Sequence, residues 1–200
     1  MPLQNRVDPR SQLHAVSHRG TLMGNRGILH DDRQQITRNH GHQAWVTCLL
    51  DFRSRHRDPM PKREYTALFF LDEVTAFAAG HRPCGQCQHA RYTDFVTAWQ
   101  SVHGPKPDDE ALPKWIDRRL HAARIQRGHQ VTYQAKTADL PDGTMILTAD
   151  GPALWWQQKA YPWAFTGYTD PVPTAPIVTV LTPAPVVAVF RSGFVPRTAL

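Results

Sequence analysis

Apolar side chains recur at helical spacing in four stretches of the chain. Val74, Phe77 and Ala78 follow Asp72, a residue suited to cap a helix, and Gly80 is placed to end it. Tyr92, Phe95, Val96 and Trp99 repeat at i, i+3, i+4 and i+7, which predicts a second amphipathic helix. Leu112, Trp115, Ile116, Leu120 and Ala123 predict a third, opened by the acidic run Asp108-Asp109-Glu110 and stopped by Gly128. Val186, Val187, Val189 and Phe190 predict a fourth, capped by Thr182 and closed by Gly193.

Between these helices the pattern shortens to strands. Residues 19–32 mix apolar positions with three glycines and Asn25, reading as strand, turn, strand. Residues 36–38, 44–50 and 65–71 are further strands. The last third alternates short apolar runs (131–133, 144–147, 153–156, 163–165 and 177–181) with Pro-Asp-Gly, Asp-Gly-Pro and a proline-rich stretch, predicting a small antiparallel sheet or half-open barrel. The fold class is therefore α+β. Residues 1–18, polar and without period, read as a loose N-terminal arm. Residues 19–104 and 105–200 read as two regions packed into one globular unit.

Composition narrows the class. A hydrophobic fraction of 41%, with 6 Trp and 8 Phe in 200 residues, is that of a chain able to bury a core. Lys+Arg 23 against Asp+Glu 17 gives a net charge of +6, which suits a polyanionic partner. No apolar run is long enough to span a membrane, and the polar N-terminus lacks the apolar core of a secretory signal. Three cysteines argue for a reducing compartment, so the expected location is cytoplasmic.

The chemistry concentrates at Pro83-Cys84-Gly85-Gln86-Cys87. A C-x-x-C turn aims two sulfurs at one point, as a tetrahedral zinc site or a redox disulfide requires. A redox pair usually opens a helix after a strand in a βαβ context. Here a short helix precedes the turn and no parallel α/β pattern surrounds it, which favours zinc. Cys48, on the strand at 44–50, is the third thiol, and His30, His40, His42 and His89 are reserve donors.

The same stretch resembles the zinc-binding domain of the Ada family of methylated-DNA repair proteins. Pro61-Lys62-Arg63-Glu64, then Phe69-Phe70, a short helix ending Ala78-Ala79-Gly80, and Arg82-Pro83-Cys84-x-x-Cys87 carry the likeness over roughly residues 45–90. The resemblance implies a zinc cofactor, DNA as partner and a link to repair. The family holds zinc with four cysteines, two of them in a C-x-x-x-C ahead of the Pro-Lys-Arg-Glu run. In this chain Phe52 and His56 fall at those two places. The expected ligand set is therefore Cys48, His56, Cys84 and Cys87. Cys48 is also the candidate for the family's methyl-accepting role.

Basic residues supply the expected nucleic-acid contacts: Arg53, Arg55, Arg57, Lys62 and Arg63 beside the thiol loop, and Arg118 on the third helix. DNA is the first expectation and RNA the second. A hydrolytic reading rests on His30, Asp31 and Asp32, the compact imidazole–carboxylate cluster, beside an aromatic set at Trp155, Trp156, Tyr161, Trp163, Phe165 and Tyr168 that can stack bases. The zinc-deaminase pattern is half present: Pro83-Cys84-x-x-Cys87 fits, but the chain has no His-x-Glu. Neither a P-loop nor a dinucleotide-binding glycine pattern occurs.

Overall fold

The structure is a computed structural model that describes residues 1–54 and 58–200. It is a mixed α+β fold with two six-stranded sheets. Strands β1 (Arg6–Val7), β2 (Leu13–His14), β3 (Leu22–Asn25), β4 (Val46–Leu49), β5 (Leu68–Phe70) and β6 (Arg82–Pro83) form the N-terminal sheet in the order β2-β1-β5-β3-β4-β6. Helix α1 (Glu73–Ala78) lies between β5 and β6. Helices α2 (His89–His103) and α3 (Leu112–Arg124) follow. A two-strand ribbon, β7 (Ile125–Gln126) with β8 (His129–Gln130), leads into the second sheet. There β9 (Tyr133–Lys136), β10 (Thr144–Thr148), β11 (Gly151–Trp156), β12 (Lys159–Ala164), β13 (Gly167–Tyr168) and β14 (Ile177–Val180) take the order β13-β12-β11-β10-β14-β9. Helix α4 (Ala184–Arg191) closes the fold.

The short helix α1 joins the parts. All of its residues are buried, and they enter three separate cores. Ala76 and the following Ala79 pack with Val7, Leu29, Leu68 and Phe70 beneath the N-terminal sheet. Val74 and Ala78 pack with Met145, Leu154 and Leu181 of the second sheet. Phe77 joins Phe95, Trp99, Trp115, Ile116 and Phe190 among the other helices. A helix this short has little stability of its own, so burial on every side and its cap must hold it. The Asp72 carboxylate accepts from the Thr75 amide at 2.9 Å and the Thr75 hydroxyl at 2.6 Å, as the sequence predicts for a cap. Tyr168 donates to the same carboxylate at 2.7 Å, and the Trp163 indole donates to the Thr75 hydroxyl at 2.9 Å.

Several expectations are corrected here. Residues 1–18 are no loose arm: β1 and β2 pair antiparallel, β1 joins β5 in parallel, and Val7 is fully buried. The apolar Val7 and Leu13 give that segment a core face that its polar composition hid. Helix α3 begins at Leu112, with Pro113 in its first turn, and the acidic run lies ahead of it. It ends at Arg124, and Gly128 instead turns the β7–β8 ribbon at φ +82°. Thr182 does not cap α4, because its hydroxyl accepts the Met145 amide at 2.8 Å. In the aromatic set Trp155 is core, while Trp163 and Tyr168 are bonded to the α1 cap. Packing accounts for these three side chains.

Candidate metal centre

Strand β4 carries Cys48, and the neighbouring β6 delivers Cys84 at its end. The two strands run parallel, with Val46 opposite Arg82 and Thr47 opposite Pro83, so the next pair is Cys48 and Cys84. The Cys84 amide donates to the Thr47 carbonyl at 2.9 Å, which extends the ladder to the thiol itself. Gln88 fixes the far side of the turn: its amide donates to the Cys84 carbonyl at 3.1 Å and its side chain to the Thr47 carbonyl at 2.9 Å. Pro83 cannot donate to a ladder, and it lies on the edge strand, where that loss is tolerated.

The anchor beneath this turn is an ion pair. Arg82 donates through Nε and Nη2 to the two carboxylate oxygens of Asp117 on α3, each at 2.7 Å, and both side chains are buried. A two-pronged contact of this kind fixes orientation as well as position. Sequence reading passed over Asp117. Its signal was a carboxylate on the apolar side of a helix, next to Ile116.

The outcome is a cluster of three sulfurs. Those of Cys48, Cys84 and Cys87 all lie within 4.8 Å of one another, and among the described residues they form the one group of His, Cys, Asp and Glu side chains arranged to hold a metal ion. The donor set fits zinc. Zinc–sulfur bonds of about 2.3 Å at tetrahedral angles place sulfurs about 3.8 Å apart, a distance that small rotamer adjustments reach. The Gln86 amide points at the Cys84 sulfur at 3.4 Å. Hydrogen bonding from the Cys48 thiol, opposed by burial and helped by the Cys87 and Gln86 amides, holds the Cys84 thiol down at about 5. Cys48, donating to Cys84 and partly buried, is pushed up, and burial also raises Cys87.

The sulfurs face a cavity of about 400 Å³ whose walls include Met23, Val46, Leu49, Leu50, Ala67 and Phe69. Its volume falls in the range of small-ligand sites, and its apolar walls with a few polar groups match their usual make-up.

His56, Arg55 and Arg57 fall outside the described residues. His30 is buried, with Nδ1 at 2.6 Å from the Thr66 hydroxyl and Nε2 at 3.1 Å from the Pro61 carbonyl. Asp31 is exposed and accepts from the Arg33 and Gln35 amides, bonds that hold its carboxyl below the ordinary range. Those contacts tie His30 to Thr66 and Pro61 and make Asp31 part of a turn. The His40 ring lies tilted to Trp45 and edge-on to His121, and His89 contacts the Gly85 carbonyl at 3.1 Å. Neither imidazole joins the sulfur cluster.

Among the basic candidates, Arg53, Lys62 and Arg63 are exposed, Arg53 and Arg63 with left-handed backbones at φ +57° and +60°. Arg118 is spent on Glu110, which it meets at 2.7 Å and 3.1 Å. No helix among the described residues is long and apolar enough to cross a membrane. Comparison with known proteins finds no matching family model, curated protein or solved structure.

Proposed function

We propose that the chain is a zinc protein whose Cys48, Cys84 and Cys87 thiolates hold the ion, and that its partner is DNA in a repair setting. The convergence of three sulfurs from two strands and a turn carries the metal reading. Zinc bound there links β4, β6 and the start of α2, so it supplies folding free energy as well as charge. It also keeps all three thiols ionised, which removes the conflict between the raised Cys48 and the lowered Cys84. The DNA reading draws on the net charge of +6, on the exposed Arg53, Lys62 and Arg63, and on the resemblance to the Ada zinc domain.

Metal analysis of protein purified without added metal tests the first part: stoichiometric zinc is expected, and its loss in Cys84→Ser. Zinc content unchanged by that substitution removes the reading. The second part predicts duplex binding that weakens steeply with salt and weakens uniformly across sequences in an Arg53→Glu/Lys62→Glu/Arg63→Glu variant. Salt-independent binding, or none, removes it.

A further inference from the structure

One face of the N-terminal sheet carries a row of side chains that changes character from sulfur to cation. Cys48 on β4 is in register with Met23 on β3, Met23 with Phe69 on β5, and Phe69 with Arg6 on β1. In-register neighbours share a face, and all four side chains are half-buried, whereas Thr47, Gly24, Leu68, Phe70 and Val7 on the other face are buried. Three strand spacings separate the ends of the row, about 14 Å between Cα atoms. The cavity beside the sulfurs is bounded by Leu50 and Phe69, and the same two residues bound a second cavity of about 320 Å³ that reaches Arg6 and Arg19. The Arg6 guanidinium lies 4.8 Å from the Phe69 ring centroid and donates to the His18 carbonyl and to Asn5, which leaves its Nη2 available. Arg19 is exposed. Neither arginine has a carboxylate partner among the described residues.

We infer that this face binds an acidic organic thiol laid across the strands. The inference rests on the metal centre proposed above. Three of the four tetrahedral positions are taken by described side chains; the fourth goes to an outside ligand in place of His56, which lies outside the described residues, and a soft sulfur donor matches the other three. The ligand would bind as its thiolate, its proton released to solvent. Its apolar chain covers Met23, Leu50 and Phe69, and its acid group meets Arg6 and Arg19. The apolar middle of the row sets this ligand apart from a nucleic acid, whose backbone asks for cations along its whole length.

The test uses the full chain loaded with cobalt(II), whose sulfur-to-metal charge-transfer absorption reports each added sulfur ligand. ω-Mercaptoalkanoates of increasing chain length are titrated beside ω-mercaptoalkanols of the same lengths. Both series are expected to change the spectrum, with the acids binding tightest at one chain length and about tenfold or more tighter there than the matching alcohol. Arg19→Gln and Arg6→Gln are expected to shrink that preference while leaving alcohol affinity unchanged. Arg6 also holds the N-terminal hairpin, so the exposed Arg19 carries the test if the Arg6 variant does not fold. Bound cobalt with a spectrum indifferent to thiols, equal binding of acid and alcohol, or displacement of the thiol by a short oligonucleotide overturns the inference and leaves the metal centre standing. Failure of cobalt to bind the wild-type chain overturns the metal reading itself.

Discussion

Strand β4 and the residues leading into it separate two polar clusters of opposite kind. On one side Cys48 joins two other thiols at the wall of a cavity. On the other, Trp45 is fully buried with the Arg26 and Arg124 guanidinium carbons 4.3 Å and 3.7 Å from its ring centroids and the His81 ring 5.3 Å away. By residue type the second cluster looks the more reactive, with two arginines and a histidine deep in the protein. Most of its donors are committed, however, Arg124 Nε and His81 Nδ1 being the buried exceptions. Arg26 bonds to His81 and to Ser11, and Arg124 bonds to the Gly80 and Gln43 carbonyls. Burial holds Arg26 down at about 9 and pushes His81 well below its ordinary 6.5. The arginine cluster is closed and structural. The thiol cluster has space in front of it, and space is what a ligand needs.

Separating the two functions experimentally starts with Cys84→Ser. It should abolish stoichiometric metal binding, the largest effect expected here, and leave the metal-free fold's urea midpoint nearly unchanged because Cys84 is only half-buried. A metal-free variant that fails to fold would show the sulfurs to be part of the core after all.

Arg124→Ala should do the reverse. It strands the buried Gly80 carbonyl, loses the bond to the Gln43 carbonyl and opens a cavity beside Trp45, costing about 3–5 kcal/mol in urea unfolding while the metal stoichiometry of the folded fraction is kept. Gly80→Ala probes the same contact from the other side and should cost about 1–3 kcal/mol. Gly80 has φ +82°, and an added Cβ would run into the Arg124 side chain. Metal loss at equal stability in either variant would merge the two clusters into one.

Acid should distinguish them by pH. Burial, and then the Arg124 charge, holds His121 at about 4, against an ordinary 6.5, and burial also pushes His81 well below 6.5. Between those values the unfolded chain takes up protons that the folded chain refuses. Stability is thus full above pH 6.5 and falls as pH drops towards 4. Urea midpoints measured across that window, with His121→Asn flattening the slope, check the sign. A midpoint that rises on acidification would contradict the closed cluster. The smallest effect belongs to Arg118→Ala. Its partner Glu110 is satisfied in an exposed pair, so neither the urea midpoint nor the salt dependence of DNA binding should move.

Local pattern and tertiary arrangement contributed differently to these conclusions. The Asp72 cap and the buried face of α1 were legible because capping and helical periodicity act within a few residues. The apolar side of α2 was legible for the same reason, and Phe95, Val96 and Trp99 are buried as the spacing requires. The α3 start was misplaced because acidic residues near a helix N-terminus fit both inside and ahead of the first turn. Arg124, a cation at the end of a helix, lies in the core because α3 packs that side of its last turn on Gly80. The β1–β2 hairpin was invisible because strands of two residues carry no detectable period.

The chain's order of residues determined that two thiols share one turn, that a third sits on a neighbouring stretch, and that helices flank them. Covalent spacing and short-range periodicity suffice for that much. Which strand lies beside which was decided only in three dimensions. The register that sets Cys48 next to Cys84, and Met23, Phe69 and Arg6 beyond it, joins segments many residues apart. Side chains so distant along the chain meet only where burying a common face outweighs the entropy of bringing them together.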